Sequence, residues 1–222
     1  MPELHPSIRH IPRPARIARL PIDHRGYPVP AFVQIINGIP DHRVVNPAMF
    51  LPAITEKRCW ICGDVLGRNM SFVLGPMCTI TRTVSEPPSH RECGIYAMQA
   101  CPFLSKPHMI RREAGMPEGV VEAAGNMEKR NPGVMCLWIT RSYTIFQDHQ
   151  CGILFKVGDP TETHWYSAGR EATRYEVLDA LDSGVALLRQ MAHEEGNLAE
   201  LTLDQMVKKA MRHIPGDTVR VP

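Results

Sequence analysis

The sequence predicts an α+β fold in which a cysteine-rich module packs with an antiparallel β-meander and C-terminal helices. Three observations support this. Cysteine and histidine cluster between residues 59 and 93, runs rich in β-branched and aromatic residues follow residue 133, and two helical apolar stripes close the chain. Strands and helices are thus segregated along the chain, as in α+β proteins. With 222 residues, of which 44% are hydrophobic, the chain can bury a core without disulfides.

The first 30 residues contain seven of the 20 prolines and no periodic apolar pattern. They predict an extended Pro-rich arm over residues 1–30, lying on the surface or on a partner. Its prolines and arginines fall where a signal peptide needs an apolar run. Because no stretch approaches the roughly 20 apolar residues that span a bilayer, we expect a cytoplasmic protein that does not enter a membrane.

Residues 31–57 predict a β-hairpin and a short helix. Two apolar runs flank the turn-forming pair Asn37 and Gly38, which is typical of a hairpin. Asn46 followed by Pro47 is typical of a helix N-cap with proline at the first helical position, and we expect that helix to end near Lys57.

Residues 58–102 contain the strongest pattern in the sequence. Cys59 and Cys62 have the spacing of a tight turn that aims two thiolates at one ion, and Gly63 lets backbone amides turn toward the sulfurs. The run SFVLGPMCTITRTV predicts a hairpin around a Gly-Pro pair. Next, SEPPSHREC predicts a helix start, where His90 and Cys93, three residues apart, share one face.

The helix start is predicted in detail. Ser89 has the chemistry of an N-cap, and Glu92 stands three residues later, as in a capping box. The positive end of the helix also favours a thiolate in its first turn.

Three thiolates and one imidazole form the closed tetrahedral set that a structural Zn2+ ion prefers, so we expect one zinc ion bound by Cys59, Cys62, His90 and Cys93. Two alternatives remain open. The four could be core residues without an ion, or an iron–sulfur cluster could recruit Cys78 or Cys101. An odd count of seven cysteines in a reducing compartment favours metal ligands and core residues over disulfides.

The other four cysteines are predicted to be small core residues; they are Cys78, Cys101, Cys136 and Cys151.

The C-x2-C pair with its trailing glycine and the H-x2-C pair at a helix start resemble treble-clef zinc fingers over residues 58–102. The segments GPMC, SEPPSH and CPFL also resemble an uncharacterised group of bacterial and bacteriophage proteins. The second resemblance implies a bacterial or phage cytoplasmic setting and no activity. Treble-clef fingers also build HNH-type nucleases, but the pairs Asp41-His42 and Asp148-His149 lie in predicted turns outside the finger.

Residues 103–133 predict a long loop rich in Gly, Pro and Glu, a type of segment that is often functional. Basic residues flank it, and we expect four of them to bind an acidic partner: Arg111, Arg112, Lys129 and Arg130. Four aromatic residues could offer stacking faces for nucleic acid; they are Trp60, Trp138, Tyr143 and Trp165.

Residues 134–222 predict the β-meander plus two helices. The strands are expected in VMCLWITRSYTIF, CGILFKVG and THWYSAG. The first helix is expected to begin with Thr173 and Glu176 as a capping box, and the second at Thr202 with Gln205 in the same relation.

These patterns predict a zinc-stabilised nucleic-acid-binding or protein-interaction factor. The balance of 25 Lys+Arg against 23 Asp+Glu, a net charge of +2, neither supports nor excludes nucleic acid. One alternative is a metal-dependent, nuclease-like hydrolase, with Asp148, His149, His164 and Asp159 as its best candidate residues. The other is a phage accessory protein that inhibits a host protein.

Overall fold

The computed structural model describes residues 3–116, 129–148 and 152–216. The described residues contain both helices and antiparallel sheets, which confirms the predicted α+β class. Among these residues, no helix is both long enough and apolar enough to cross a membrane.

The elements of the first half surround the cysteine-rich region. In chain order they are α1 (Ala15–Ala18), β1 (Val33–Ile36), β2 (Ile39–Val45), α2 (Pro47–Thr55), β3 (Met70–Leu74), α3 (Pro76–Thr81), β4 (Thr83–Val84), α4 (Arg91–Ala100) and α5 (Pro102–Ser105).

The second half contains most of the sheet residues and both long helices. Its elements are β5 (Met135–Thr140), β6 (Tyr143–Gln147), β7 (Ile153–Val157), β8 (Pro160–Ser167), β9 (Arg170–Glu171), α6 (Arg174–Glu195), α7 (Asn197–Ala210) and a 3-10 turn (Met211–His213).

The strands form three antiparallel sheets, with orders β1-β2, β3-β5-β8-β9 and β4-β7-β6. The predicted three-stranded meander is therefore wrong in its connections, although its segments are strands. Arg141 and Ser142 divide its first segment into β5 and β6, and these belong to different sheets.

The predicted hairpin around Gly75 and Pro76 is also wrong. Proline at the first helical position starts α3 there, and the strands on either side pair with distant partners, β3 with β5 and β4 with β7. Long-range pairing thus overrides the local turn pattern.

Residues 3–30 differ from the predicted extended arm. Ile8 and Ile17 are 2% and 1% exposed and pack with Cys59 and Cys93 in one apolar cluster. Prolines exclude long helices here, but they do not prevent a compact segment from covering a core.

The hairpin and helix of residues 31–57 form as predicted. Strands β1 and β2 meet at Asn37–Gly38, and the Asn46 side chain accepts a hydrogen bond from the Ala48 N–H at the start of α2. Helix α2 ends at Thr55.

The start of α6 also forms as predicted, with both hydrogen bonds of the Thr173–Glu176 capping box. Helix α7 begins at Asn197, five residues before the predicted Thr202. The Thr202 hydroxyl donates to the Leu198 carbonyl inside the helix, so it caps nothing.

The main core lies where α6 and α7 pack against the sheets. Its largest fully buried side chains include Trp138, Phe72 and Phe155. A second, smaller cluster lies on the side of the cysteine-rich region, and it brings the N-terminal segment against the candidate metal ligands.

Candidate metal centre

Cys59 and Cys62 lie in a tight turn that backbone hydrogen bonds close. The Gly63 N–H donates to the Cys59 carbonyl at 2.9 Å, and the Cys59 N–H donates to the Asp64 carbonyl at 2.7 Å. Gly63 has φ +78°, a left-handed conformation that costs glycine little. Gly63 therefore helps to close the turn, but its own N–H donates to a carbonyl and not to a sulfur.

His90 and Cys93 come from the start of α4. His90 itself is the N-cap, with extended backbone, and Cys93 lies in the first turn. The predicted capping role of Ser89 is wrong, because its N–H and carbonyl both bond to Ser71, at 2.7 and 2.8 Å. The predicted capping box with Glu92 is therefore absent as well.

The structure brings these four side chains together. Their ligand atoms all lie within 4.8 Å of one another, and Cys62 alone of the four is half-buried while the rest are buried. Among the described residues, no other group of three or more His, Cys, Asp or Glu side chains converges in this way. Neither Cys78 nor Cys101 belongs to this group of side chains, which disfavours an iron–sulfur cluster that recruits either of them.

The His90 ring is oriented with one nitrogen toward the sulfurs. Its Nδ1 lies 3.4 Å from the Cys62 Sγ, and its Nε2 lies 3.2 Å from the Val65 carbonyl oxygen. If Nε2 carries the proton and donates to that carbonyl, Nδ1 has its lone pair free for a metal ion. A backbone acceptor behind a ligating histidine is the usual way that proteins fix the ring.

The sulfur atoms receive hydrogen bonds of their own. The N–H groups of Cys62 and His90 both lie 3.4 Å from the Cys59 Sγ. Hydrogen bonds from the Cys62 and Cys93 thiols lower the pKa of Cys59, while the contact with Cys59 raises the pKa of Cys62 to about 11 and raises that of Cys93. Three thiolates so close together repel one another, so full ionisation requires a cation. The cluster can therefore hold a metal ion.

The sequence patterns do not predict the charged residues that lie next to these ligands. Arg16 donates to Asp64 at 2.6 Å and to Glu92 at 3.1 Å, and Arg19 also donates to Asp64. Arg16 precedes Glu92 by 76 residues. No local pattern connects positions so far apart, and only the position of Asp64 directly behind Cys62 and Gly63 hints at a role.

The four basic residues predicted to bind a partner lie at the two ends of the long loop. These ends pair: Ile110 and Arg130 form an antiparallel bridge, and the Arg111 N–H donates to the Lys129 carbonyl at 2.8 Å. We call this pair of segments, residues 108–112 and 129–131, the loop stem. The part of the loop between them, residues 117–128, lies outside the described residues.

The hairpin β1-β2 braces the loop stem. The Arg111 side chain donates to the Arg43 carbonyl at 2.6 Å, and Arg43 donates to the carbonyls of Arg112 and Ala114 at 3.2 and 3.0 Å. Lys129 forms an ion pair with Glu113. The four predicted basic residues thus lie together in the stem.

The candidate hydrolase residues do not form one site. Asp148 follows β6 and accepts the Gly152 N–H, whereas Asp159 follows β7 and pairs with Arg82, so the two lie at opposite ends of β7. His164 lies on β8 beside Glu162. His149 lies outside the described residues.

Asp41 and His42 were predicted to lie in a turn, but both belong to β2. The His42 Nε2 lies 3.2 Å from a carboxylate oxygen of buried Asp23. Burial lowers the pKa of His42, and the nearby Arg25 charge lowers it further. Asp23 belongs to the N-terminal segment and His42 to β2, so the contact lies where the segment meets the hairpin.

The aromatic residues predicted as stacking faces are core residues instead. Trp60, Trp138 and Trp165 are buried, and Trp60 stacks on Phe32 with ring centroids 5.1 Å apart. Tyr143 packs edge-on against Phe155. Because all three tryptophans are buried, none of their rings is accessible for stacking with a base.

The remaining described cysteines have core surroundings. Cys136 is fully buried in β5, and Cys78 packs half-buried against the main core. Burial raises the pKa of the Cys78, Cys101 and Cys136 thiols, that of Cys78 to about 11. Cys101 follows α4 and is partly buried, and Cys151 lies outside the described residues.

No protein-family model matches this chain, and searches of curated proteins and of solved structures find no match to it. The resemblances to treble-clef fingers and to a bacterial and phage group therefore stay predictions. The assignment of a metal centre rests only on the geometry of its four side chains.

Proposed function

We propose that this chain binds one structural zinc ion through Cys59, Cys62, His90 and Cys93, and that the zinc-stabilised fold presents a protein-interaction surface at the loop stem. The observation that carries the zinc assignment is the convergence of three sulfurs and one imidazole nitrogen within 4.8 Å. A tetrahedron with Zn–S bonds of about 2.3 Å has edges of roughly 3.8 Å, so small movements suffice to close it.

A structural role fits better than a catalytic one. Catalytic zinc sites have three protein ligands and a position for water, whereas this site offers four protein donors. His90 is held from behind by the Val65 carbonyl, and Cys59 by two backbone N–H groups. Such a set holds backbone segments together and leaves no position at which a substrate could bind the ion. The hydrolase alternative is therefore not proposed.

The metal assignment is tested by elemental analysis of purified protein and by cobalt substitution. We expect one zinc per chain, and we expect Co2+-loaded protein to show intense visible absorption from a tetrahedral, thiolate-rich site. Iron, or protein without metal after purification in zinc-containing medium, would contradict the assignment.

The interaction surface is proposed from the loop stem. Ile110 and Arg130 face each other across the bridge, so their side chains share one face. Arg112 and Arg130 are exposed, and Ile110 is 69% exposed. A large exposed apolar side chain in a stem that also exposes basic residues fits a partner that is both acidic and apolar.

The neighbouring hairpin adds to this surface. Ile35 and Ile39 are 50% and 56% exposed, and the hairpin is tied to the stem through Arg43. Phosphate contacts alone do not need exposed isoleucines, and the tryptophans that could stack on bases are buried. These features favour an acidic protein segment with apolar side chains over nucleic acid.

Binding is tested on an array of acidic peptides with leucines at helical spacing, with scrambled peptides as controls, and on labelled DNA and RNA. Arg112→Ala/Arg130→Ala should weaken binding to selected peptides about tenfold, since the loss of two favourable charge contacts costs on the order of 1.4 kcal/mol. Lys208→Ala/Lys209→Ala, which removes two exposed charges from α7, is the matched control and should bind like wild type.

Two outcomes would contradict this surface. Salt-sensitive binding of wild type to DNA or RNA, weakened uniformly by the Arg112 and Arg130 changes, would identify nucleic acid as the partner. Peptide binding that is equally reduced in the α7 control would show general charge attraction.

A further inference from the structure

The N-terminal segment, residues 3–30, packs beside the metal centre and is closed by its own hydrogen bonds. The His5 N–H donates to the Gly26 carbonyl at 2.9 Å, so the two ends of the segment meet. Gly26 has φ +88°, and a Cβ placed on it would lie 2.4 Å from the His5 nitrogen, so only glycine allows this approach. The buried Asp23 carboxylate accepts the N–H groups of Arg25 and Tyr27, both at 2.9 Å, which closes the turn between them.

Helix α1 contacts the metal centre in two ways. Ile17 is buried in the same apolar cluster as Cys59 and Cys93. Its neighbour Arg16 is partly exposed and points to the charged side chains that border the ligands. The short helix therefore combines an apolar anchor with an electrostatic one.

Arg16 connects the two halves of the ligand set. Its Nη1 donates to Asp64, two residues after Cys62, and its Nε donates to Glu92, which lies between His90 and Cys93. Cys59 and Cys62 lie in one turn, and His90 and Cys93 lie at a helix start much later in the sequence. One guanidinium group spans them.

Asp64 connects this contact to Cys59. Its carbonyl accepts the Cys59 N–H at 2.7 Å, so the residue that pairs with Arg16 also fixes the backbone of a candidate ligand. A filled site with Zn2+, three thiolates and neutral histidine carries a net charge of −1, and the Asp64 and Glu92 carboxylates add to it. Arg16 supplies the opposite charge next to both.

We infer that Arg16 is a positioning residue of the metal centre, and that docking of the N-terminal segment and retention of the metal ion are coupled through it. This inference rests on the proposed zinc site. Because coupling between two binding events is reciprocal, loss of the ion must loosen the segment, and loss of the Arg16 contacts must weaken retention of the ion. Outer contacts of this kind change metal affinity by about 10- to 100-fold in other zinc sites.

The test compares zinc release from full-length variants to a chromogenic chelator. Arg16→Ala should release zinc about tenfold faster than wild type, with Arg16→Lys between the two, because an ammonium group can pair with only one carboxylate well. Arg9→Ala is the matched control. It removes an arginine of the same segment that pairs with Glu3, away from the ligands, and it should behave as wild type.

A second measurement needs no variant. Limited trypsin digestion of wild type should cut after Arg9 and Arg25 faster once chelator has removed the ion, while cleavage within α6 and α7 changes less. This readout keeps the inference testable if Arg16→Ala fails to fold.

Failure of the inference is distinguishable from failure of the proposed function. Zinc-loaded wild type with equal release from Arg16→Ala and Arg9→Ala would overturn the inference alone, as would equal tryptic protection of residues 3–30 with and without the ion. Wild type that contains no zinc would overturn the zinc site and this inference together.

Discussion

Two apolar clusters in the described part of the chain differ in composition. The main core contains 16 buried residues, among them two tryptophans and two phenylalanines, and the long helices α6 and α7 cover it. The cluster beside the candidate metal centre contains nine buried residues, two of which are the candidate ligands Cys59 and Cys93, and it contains neither tryptophan nor phenylalanine. Apolar burial can maintain the first region alone. The second combines a smaller apolar cluster with a polar network and, as proposed, an ion.

Because the two clusters differ in composition, the two regions should respond to different perturbations. Removal of the ion should disrupt the smaller cluster and spare the main core, and truncation of a core side chain should do the reverse.

Removal of the metal ion should have the largest effect. Structural zinc contributes about 10–16 kcal/mol of apparent binding free energy in zinc-finger peptides, which is comparable to the whole stability of a typical domain. In Cys93→Ser, or in chelated wild type, hydrogen exchange should lose protection in residues 59–66 and 91–100 and retain it in β5 and α6. Hydrogen exchange read by mass spectrometry measures this directly.

The controls for this prediction are the cysteines outside the cluster. Cys78→Ala and Cys101→Ala should each cost about 1 kcal/mol and leave the zinc content unchanged, because each removes one partly buried sulfur. Equal zinc content in Cys93→Ser and Cys78→Ala would show that the ligand set is wrong.

Truncation of the main core should produce the next largest effect. Phe155 is fully buried and packs against Phe72 and Tyr143, so Phe155→Ala should reduce the free energy of unfolding by about 3–5 kcal/mol. Folded protein should still hold zinc. Phe146→Ala, on the adjacent strand and 39% exposed, is the matched control and should cost less than about 1 kcal/mol. Urea unfolding and zinc content of the folded fraction test both points.

The smallest effect concerns the start of α6 and is pH-dependent. A hydrogen bond from Arg170, with others from Thr173, lowers the pKa of Glu176 from 4.5 to about 2. Since the folded-state pKa lies below the unfolded one, this stabilisation is fully present above pH 4.5 and is lost as the pH falls toward 2.

Glu176→Gln should therefore cost about 1 kcal/mol at pH 7 and progressively less below pH 4.5. The difference between wild type and variant in urea unfolding at each pH isolates this contribution from proton competition at the metal centre. Glu195→Gln, exposed at the other end of α6, is the control and should not destabilise the protein. A pH-independent loss in Glu176→Gln would contradict the assigned role of its charge.

The sequence allowed prediction of features that depend on a few neighbouring residues. The Cys59–Cys62 turn, the Asn46 cap and the Thr173–Glu176 box each involve groups within four positions, so residue type and spacing suffice. The convergence of the two pairs of candidate ligands was also predictable, because cysteine and histidine at these spacings are typical of metal sites.

The rest depends on long-range packing. Pro76 is compatible with a turn or with a helix start, and the choice follows from the partners of β3 and β4, which come much later in the chain. Ser89 has the chemistry of a cap, but its backbone pairs with that of Ser71, and His90 occupies the N-cap position. The prolines of the first 30 residues indicate irregular backbone equally for an arm and for a compact segment, and only the burial of Ile8 and Ile17 distinguishes them.

The pairing of β3 with β5 has a consequence for synthesis on the ribosome. All four metal ligands precede residue 94, whereas Leu74 pairs with Cys136 and Met70 with Thr140. A nascent chain therefore exposes a complete set of metal donors while β3 still lacks its partner strand. Early capture of the ion would order the cysteine-rich segment and hold β3 beside Ser89 during the interval in which an unpaired strand edge is most prone to aggregate.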